Sequence, residues 1–201
     1  MKKVLLVLAA VFCIVTAKAQ FKFGVEGGVN RSYITGSNVV WGYHGMYNYN
    51  AGVFAVLPII NSFSFDPAVL YDRKGGQNPE PGVNEWVHDS YLDIPLMIRY
   101  TDKSGLHIEA GVQIGFLLSF KGQIQTFVYQ KNEFHSDEIA WVAGVGYDIP
   151  HTPIGIDFRY EFDESDLINY PDYGPGSYLS GIMHNTLLQL DVRYTLFKGH
   201  R

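Results

Sequence analysis

The chain has 201 residues, with 15 lysines and arginines against 20 acidic side chains and a formal net charge of −5. This acidic balance argues against a nucleic-acid partner, because affinity for nucleic acid depends on clustered positive charge. The only cysteine, Cys13, lies in an apolar N-terminal segment, so the rest of the chain has no disulfide, thiol nucleophile or cysteine metal ligand.

Residues 1–19 have the layout of a secretory signal peptide. Two lysines precede an apolar run from Val4 to Val15, and a small-residue A-K-A pattern ends at Ala19. The run is shorter than the roughly 20 apolar residues that a membrane-spanning helix needs. We therefore predict cleavage after Ala19, which leaves 12 basic against 20 acidic side chains and a net charge of −8. Residues 20–201 have a length usual for one domain.

Eight segments of the remaining chain alternate apolar and polar residues, which predicts strands with one apolar and one polar face. In chain order they fall near residues 21–30, 47–57, 62–73, 92–100, 104–120, 138–148, 154–161 and 188–196. The fifth is the clearest. Its apolar face holds Leu106, Ile108, Ala110, Val112, Ile114, Phe116 and Leu118, and its polar face holds His107, Glu109, Gly111, Gln113, Gly115 and Ser119. No segment has the pattern of a long amphipathic helix.

The connections between these segments alternate in length. Three are tight turns, at Pro58–Asn61, Asp102–Ser104 and Pro150–His151. Four are long and rich in Gly, Asn, Asp and Pro, at about residues 34–46, 74–85, 121–136 and 163–183. This alternation predicts an eight-stranded antiparallel up-and-down barrel with both termini and all tight turns at one end.

Three features favour a transmembrane barrel over a soluble one. The segments reach about ten residues, the length that crosses an outer membrane at a tilt. Their polar face combines charges with glycines, which suits a narrow interior filled by side chains. Aromatic residues collect near both ends of the strands, as at membrane interfaces; they are Phe21, Phe63, Tyr100, Tyr147 and Tyr194 at the tight-turn end and Tyr49, Tyr71, Trp141 and Tyr160 at the other.

Several segments carry a family resemblance. The stretches FSFDPAVLYDRKGG (63–76) and SYLDIPLMIRY (90–100) resemble the third and fourth strands of the PorT-like outer-membrane β-barrel family of Bacteroidetes. The opening FKFGVEGGVN (21–30), GLHIEAGVQIGFLLS (105–119) and the closing strand through Tyr194 also match. The resemblance implies the fold and an outer-membrane location. Known members of the family include a component needed for protein secretion, but the resemblance leaves the individual role of this chain open.

The polar faces converge on a candidate site inside the barrel. Its members are Glu26, Asp66, Asp93, Arg99, Glu109, Asp157, Arg159, Glu161, Asp191 and Arg193. Reflecting the fourth and fifth strands about Lys103 places Arg99 beside His107 and one diagonal from Glu109. The last hairpin brings Arg159 near Asp191 and Asp157 near Arg193. The set forms a functional site, either a gated polar path or a small-ligand site, or it forms a salt-bridged plug. We favour the plug, because buried charges must be paired and eight strands leave room for little beyond side chains.

Catalytic chemistry has one weak local candidate, the run His88-Asp89-Ser90. Lipid acyl transfer or deacylation needs a His held by an acid beside a Ser. Neighbours on a strand point to opposite faces, so this run is better explained as polar residues at a loop end. The histidines His44, His135, His151, His184 and His200 lack metal-ligand spacing. We therefore predict no catalytic, cofactor-binding or metal-binding residues.

The sequence thus predicts a non-enzymatic outer-membrane protein with a structural, adhesive or accessory role, including assistance to secretion. A narrow porin-like pore or small-solute binder is the first alternative, and a lipid-modifying enzyme is the second. The expected partners are outer-membrane lipid and the barrel-insertion machinery, without nucleic acid. The long loops add a possible protein partner, since they carry aromatic residues of the kind enriched at interfaces; these are Trp41, Tyr43, Tyr170, Tyr173 and Tyr178.

Overall fold

The computed structural model describes residues 21–36, 44–77, 86–124, 127–130, 137–163 and 183–199. These residues form nine strands in chain order. They are β1 (Lys22–Gly36), β2 (His44–Ile60), β3 (Phe63–Gln77), β4 (Trp86–Thr101), β5 (Leu106–Ile124), β6 (Phe127–Gln130), β7 (Asp137–Asp148), β8 (Ile154–Asp163) and β9 (Met183–Lys198).

Eight of the strands close into an antiparallel barrel. The sheet order is β4-β3-β2-β1-β9-β8-β7-β5, and a further pairing of β4 with β5 joins its two ends. The strand β1 pairs with β9 from Lys22 opposite Lys198 to Gly36 opposite Met183. Closure leaves no open sheet edge, which is the condition for a sheet in hydrocarbon, where unpaired backbone groups find no water. The predicted eight-stranded up-and-down barrel is confirmed.

The strand β6 was not predicted. It lies within the long loop expected at residues 121–136 and pairs with the end of β5, from Lys121 opposite Gln130 to Ile124 opposite Phe127. The strand β7 pairs with β5 only as far as Phe116, opposite Asp137. The last residues of β5 therefore form a short hairpin with β6, and this hairpin extends beyond the eight strands of the barrel.

The three tight connections and both ends of the described chain lie at the same end of the barrel, as predicted. Asn61 and His151 have positive φ angles of 49° and 63°, and Gly105 has a φ of 97°, values that suit tight reversals. In the β4–β5 turn, Asp102 Oδ1 accepts hydrogen bonds from the Ser104 amide at 2.7 Å and the Ser104 hydroxyl at 2.6 Å. These bonds hold the pKa of Asp102 below its usual value.

The two faces of the sheet are arranged as a bilayer requires. Large apolar side chains project outward along every strand of the barrel, including Leu190 (47% exposed) on β9. On the inner face, Asp93 and Asp191 are fully buried. A barrel that folds in water buries its apolar face instead. Outward aromatic pairs mark both ends, with Phe63 and Tyr100 at a ring-centroid distance of 5.2 Å near the tight turns and Tyr49 and Tyr71 at 6.3 Å near the long loops.

A bulge corrects one predicted orientation. The register between β4 and β5 shifts, so that Ser90 is opposite Ser119 while Tyr91 is opposite Leu117. The extra residue, Leu118, reverses the alternation beyond it. Ser119, predicted on the polar inner face, is exposed on the outside, and Phe120 turns inward.

Candidate functional site: the charge network inside the barrel

All ten predicted site residues lie inside the barrel, with at most 4% of each exposed. Alternate residues of a strand share a face, and these side chains occupy inward-facing positions on six of the strands. They fall into two groups. The lower cluster, toward the tight turns, contains Glu26, Asp66, Arg99, His107, Glu109, Asp157, Arg159, Asp191 and Arg193. The upper cluster, toward the long loops, contains Asp72, Lys74, Asp93, Gln113, Glu138 and Glu161.

Arg99 joins three carboxylates in the lower cluster. Its Nη2 lies 2.7 Å from Asp66 Oδ2, 2.7 Å from Glu109 Oε2 and 3.0 Å from Asp157 Oδ2. The sequence-based reflection about Lys103 was off by two residues, since β5 places Glu109 opposite Arg99 and His107 opposite Thr101. The cause is the turn, which is centred on Ser104 because the Asp102 amide donates to the Leu106 carbonyl.

Two further guanidinium groups complete the lower cluster. Arg159 contacts Glu109 Oε1 at 2.6 Å, Glu26 Oε1 at 3.1 Å and Asp191 Oδ2 at 3.4 Å. Arg193 contacts Asp66 Oδ2 at 2.7 Å and Asp157 Oδ2 at 3.1 Å, and it stacks on the Phe54 ring at 3.6 Å. The strand register sets Asp157 opposite Asp191. Both predicted pairs, Arg159 with Asp191 and Arg193 with Asp157, are therefore diagonal contacts.

His107 extends this network toward the tight turns. Its Nε2 lies 2.7 Å from Asp157 Oδ1, and the residue is 1% exposed. Gly146 lies on the neighbouring strand β7, where a Cβ would overlap both the Asp157 carboxylate and the His107 ring. Glycine at this position therefore makes room for the His107–Asp157 contact.

Lys74 organises the upper cluster and was missed by the sequence analysis. Its ammonium group lies 3.3 Å from Asp93 Oδ2 and 2.6 Å from Glu161 Oε1, and it also contacts Glu138. The 74–85 segment was expected to be a loop, but β3 continues to Gln77. The signal was present in the pattern, because residue 74 has the same parity as the inward residues Asp66 and Asp72.

Neutral amides satisfy part of the remaining carboxylate surface. The Gln113 amide donates to Asp93 Oδ2 at 2.9 Å and to Glu161 Oε2 at 2.8 Å. Asn30 donates to Asp72 Oδ1 at 2.6 Å, and Asn50 donates to Asp191 Oδ1 at 2.9 Å. The alternation placed Gln113 on the polar face, but none of these amides was among the predicted site residues, since a single neutral polar residue carries no distinctive sequence signal.

Negative charge is in excess inside the barrel. The buried residues of the described strands include ten carboxylates, four lysine or arginine side chains and His107. An unpaired buried charge costs several kcal/mol even after relaxation. Each carboxylate in excess must therefore be protonated, hydrated or paired with a cation outside these buried residues.

One cavity among the described residues is small. A cavity of about 40 Å³ lies at the tight-turn mouth, lined in part by Lys22, Arg99, Asp148 and Arg193. A water molecule needs at least about 10–15 Å³ of such volume, so this space holds only a few. Lys22 Nζ and Asp148 Oδ2, 2.7 Å apart, form a part-buried ion pair at the same mouth.

Two sets of side chains come close enough together to ligate a cation. They are His107, Glu109 and Asp157, and Asp72, Asp93 and Glu161. In the first set, Arg99 contacts both carboxylates at 2.7 and 3.0 Å. In the second, Lys74 contacts two of the three. The positive charge next to each set is therefore supplied by the protein itself.

The candidate catalytic run is divided between the two faces of β4. Asp89 is buried with the inward residues, whereas His88 projects from the other face. The Ser90 hydroxyl accepts a hydrogen bond of 3.0 Å from the Tyr71 hydroxyl on the outside of the barrel. Asp89 therefore does not share the face on which His88 and Ser90 lie.

Several other predicted features fall outside the described residues, among them the signal segment 1–19, His135, His200 and the five loop aromatics. The backbones of His44 and His184 belong to β2 and β9, and His151 is an exposed turn residue. Within the part of the chain that the structure describes, no helix has the length and apolar character to cross a membrane.

A closed sheet with an apolar exterior and a charged interior defines the chain as an integral membrane β-barrel. The chain belongs to the family described as outer membrane protein beta-barrel domain, whose model matches residues 16–168. It is therefore an outer-membrane protein.

Solved structures share the architecture. Neisserial surface protein A is 14% identical, with a TM-score of 0.54 and an alignment that covers 87% of this chain and 97% of that one. Ail, the attachment invasion locus protein of Yersinia pestis, solved in complex with the heparin analogue sucrose octasulfate, is 15% identical with a TM-score of 0.54. That alignment covers 88% of this chain and 99% of Ail. At these identities the likeness extends to the fold alone. No curated protein matches the chain.

Proposed function

We propose that this protein is a non-enzymatic outer-membrane barrel with a closed interior and a structural, adhesive or accessory role. The observation that carries the proposal is the interlocked charge network. Arg99, Arg159 and Arg193 bridge carboxylates from opposite walls of the barrel, and Lys74 does the same nearer the long loops. The structural role of the ten predicted residues is thus to fill the interior and satisfy one another's charges.

The proposed topology includes export and a defined orientation. Residues 1–19 act as a cleaved signal peptide, and residues 20–201 form the barrel. Bacterial outer-membrane barrels have short periplasmic turns and longer extracellular loops. The termini and the turns at Asn61, Asp102 and His151 therefore lie in the periplasm, and the long loops face outward.

The long-loop end carries the interaction in this proposal. The longest connection, between β8 and β9, runs from residue 164 to 182 and contains three of the aromatics predicted to dock a partner. The resemblance to the PorT-like family of Bacteroidetes supports an accessory role in secretion. Outer-membrane lipid and the barrel-insertion machinery are the other proposed partners.

Planar-bilayer recording tests the closed interior. We expect the purified wild-type barrel to give no discrete conductance steps. The Lys74→Ala, Glu138→Ala double variant removes one central ion pair without changing net charge, so steps confined to that variant would show that the network is the barrier. Discrete steps from the wild-type protein would refute the closed interior and favour the narrow pore.

Orientation and partner binding have separate tests. Single cysteines at Ser104 and at Gly174 should differ in labelling of intact cells by an impermeant maleimide, with only the loop site reacting. Partner recovery from outer membranes is then compared between the wild type and a variant whose residues 164–182 are replaced by a short Gly-Ser link. A variant shortened at residues 37–43 is the matched control, and equal recovery from all three would reject the 164–182 loop as the docking element.

A further inference from the structure

The charges on the outer wall of the barrel differ sharply from those inside. Among strand residues whose side chains the structure describes, every acid is buried except Asp148, which pairs with Lys22. The outward-facing charges at the long-loop end are Arg31 on β1, Arg73 on β3 and Lys121 on β5. Among the side chains that the structure describes, this part of the outer wall therefore carries only positive charges.

Arg31 is held between two tyrosine rings. Its guanidinium carbon lies 5.0 Å from the centre of the Tyr33 ring and 5.2 Å from that of Tyr47, the residue opposite it on β2. Its Nε is buried without a hydrogen-bond partner. Within the described chain it has no carboxylate partner. The rings thus hold the guanidinium on the outer side of the barrel, and its Nε has no hydrogen-bond partner among the described residues.

Arg73 on β3 and Lys121 on β5 extend this row of outward positive charges, the positive rim, from β1 around to β5. Arg73 is opposite Ser90 on β4, and Lys121 is opposite His88, two residues away on the same strand. Tyr71, which precedes Arg73 on the outer face of β3, belongs to the outer aromatic pair with Tyr49. The cations therefore lie just beyond the aromatic ring, at the level where lipid headgroups begin.

The described side chains on the opposite half of the wall are uncharged at this level. Leu188, which is opposite Arg31 on β9, is followed around the barrel by Tyr160 on β8. Tyr160 and Phe162 are exposed on the outside. Among the described side chains, the positive rim therefore lies on the β1–β5 side and is a patch rather than a uniform belt.

We propose that this patch, made of Arg31, Arg73 and Lys121, binds the phosphate groups of anionic lipid in the leaflet at the long-loop end. A cation on a lipid-facing wall is costly unless it reaches an anion. Guanidinium groups match phosphate with paired hydrogen bonds, and aromatic faces hold them in place. None of the described acidic side chains faces outward at this end of the barrel to compete for these cations. The inference extends the proposed lipid partner to a specific face of the barrel.

Lipid retention measured by native mass spectrometry tests the patch. The barrel is placed in phosphatidylcholine nanodiscs doped with either diphosphoryl lipid A or fully dephosphorylated lipid A, and bound lipids are counted after release. We expect selective retention of the phosphorylated form. The Arg31→Gln, Arg73→Gln double variant should bind it about 30-fold more weakly, the loss expected from two basic residues near an anionic lipid.

The control is the Lys103→Gln, Lys198→Gln double variant, which removes the same charge at the tight-turn end and should retain lipid like the wild type. Circular dichroism confirms that each variant is folded. Equal retention of the two lipids by the wild type, or equal loss in both variants, overturns the proposal. A nanodisc offers the same lipid to both ends of the barrel, so the outcome is independent of the proposed orientation and of the closed interior.

Discussion

The Lys74 ammonium lies 2.6 Å from Glu161 Oε1, although 87 residues separate the two in the chain. Lys74 belongs to β3 and Glu161 to β8, strands that are not neighbours in the sheet. The contact therefore crosses the interior of the barrel. It ties opposite walls together at the level where carboxylates most outnumber cations.

Removing this cation should destabilise the barrel strongly. Lys74→Met leaves Asp93, Glu138 and Glu161 without their shared positive partner, and breaking a buried ion pair costs about 3–5 kcal/mol. The measurement is urea unfolding in lipid vesicles. Lys103→Met, at an exposed turn, is the control and should change the unfolding free energy by no more than about 0.5 kcal/mol. Similar small effects for both variants would mean that Lys74 is dispensable to the network.

A charge exchange tests the diagonal pairing in the lower cluster. Arg159→Asp should destabilise the barrel, since Arg159 contacts Glu26 and Glu109 as well as Asp191. Adding Asp191→Arg should recover part of the loss, because the pair is restored in the reverse sense while the other contacts are not. Unfolding free energies of both single variants and the double variant complete the cycle. Strictly additive losses would show that the two residues are not energetically coupled.

The outer wall should tolerate charge according to depth. Leu190 on β9 is opposite Val29 and Phe158, between the two aromatic ends, whereas Leu106 begins β5 opposite Tyr147 near the tight turns. Leu190→Arg should cost about 2–4 kcal/mol and Leu106→Arg about 0–1 kcal/mol. The two residues are similarly exposed, at 47% and 49%, so the comparison isolates depth. Equally small costs in vesicle unfolding experiments would argue for an aqueous exterior.

A methyl group at Gly146 should disturb the interior. It would overlap Asp157 and His107, so Gly146→Ala is expected to cost about 1–3 kcal/mol by overpacking. Gly27→Ala is the matched control, because the nearest atom to its Cβ, the Asn50 backbone oxygen, lies 3.3 Å away. Unfolding midpoints of the two variants provide the measurement, and a Gly146 variant as stable as the control would contradict the space argument.

Much of the architecture could be predicted from local pattern. Period-two alternation identified the eight strands of the barrel. It also assigned Glu26, Asp93 and Arg159 to the inside, because successive side chains on a strand point to opposite faces. It failed where the backbone departs from simple alternation. Leu118 bulges and turns Ser119 outward, and β3 continues through Lys74 where glycines and a lysine resembled a loop.

The sequence by itself determined the number of strands in the barrel, the apolar and polar faces of the sheet, and most of the charged residues that share the interior. All of these follow from side-chain alternation within each strand. The last hairpin predicted the contacts of Arg159 with Asp191 and of Arg193 with Asp157, whereas only the tertiary structure decided which charges meet across the other strands. The partners of Arg99, Arg159 and Lys74 depend on turn length, stagger between strands and closure of the sheet, and each of these is a relation between distant parts of the chain. A shift of two residues in the β4–β5 register was enough to exchange His107 for Glu109 as the residue opposite Arg99.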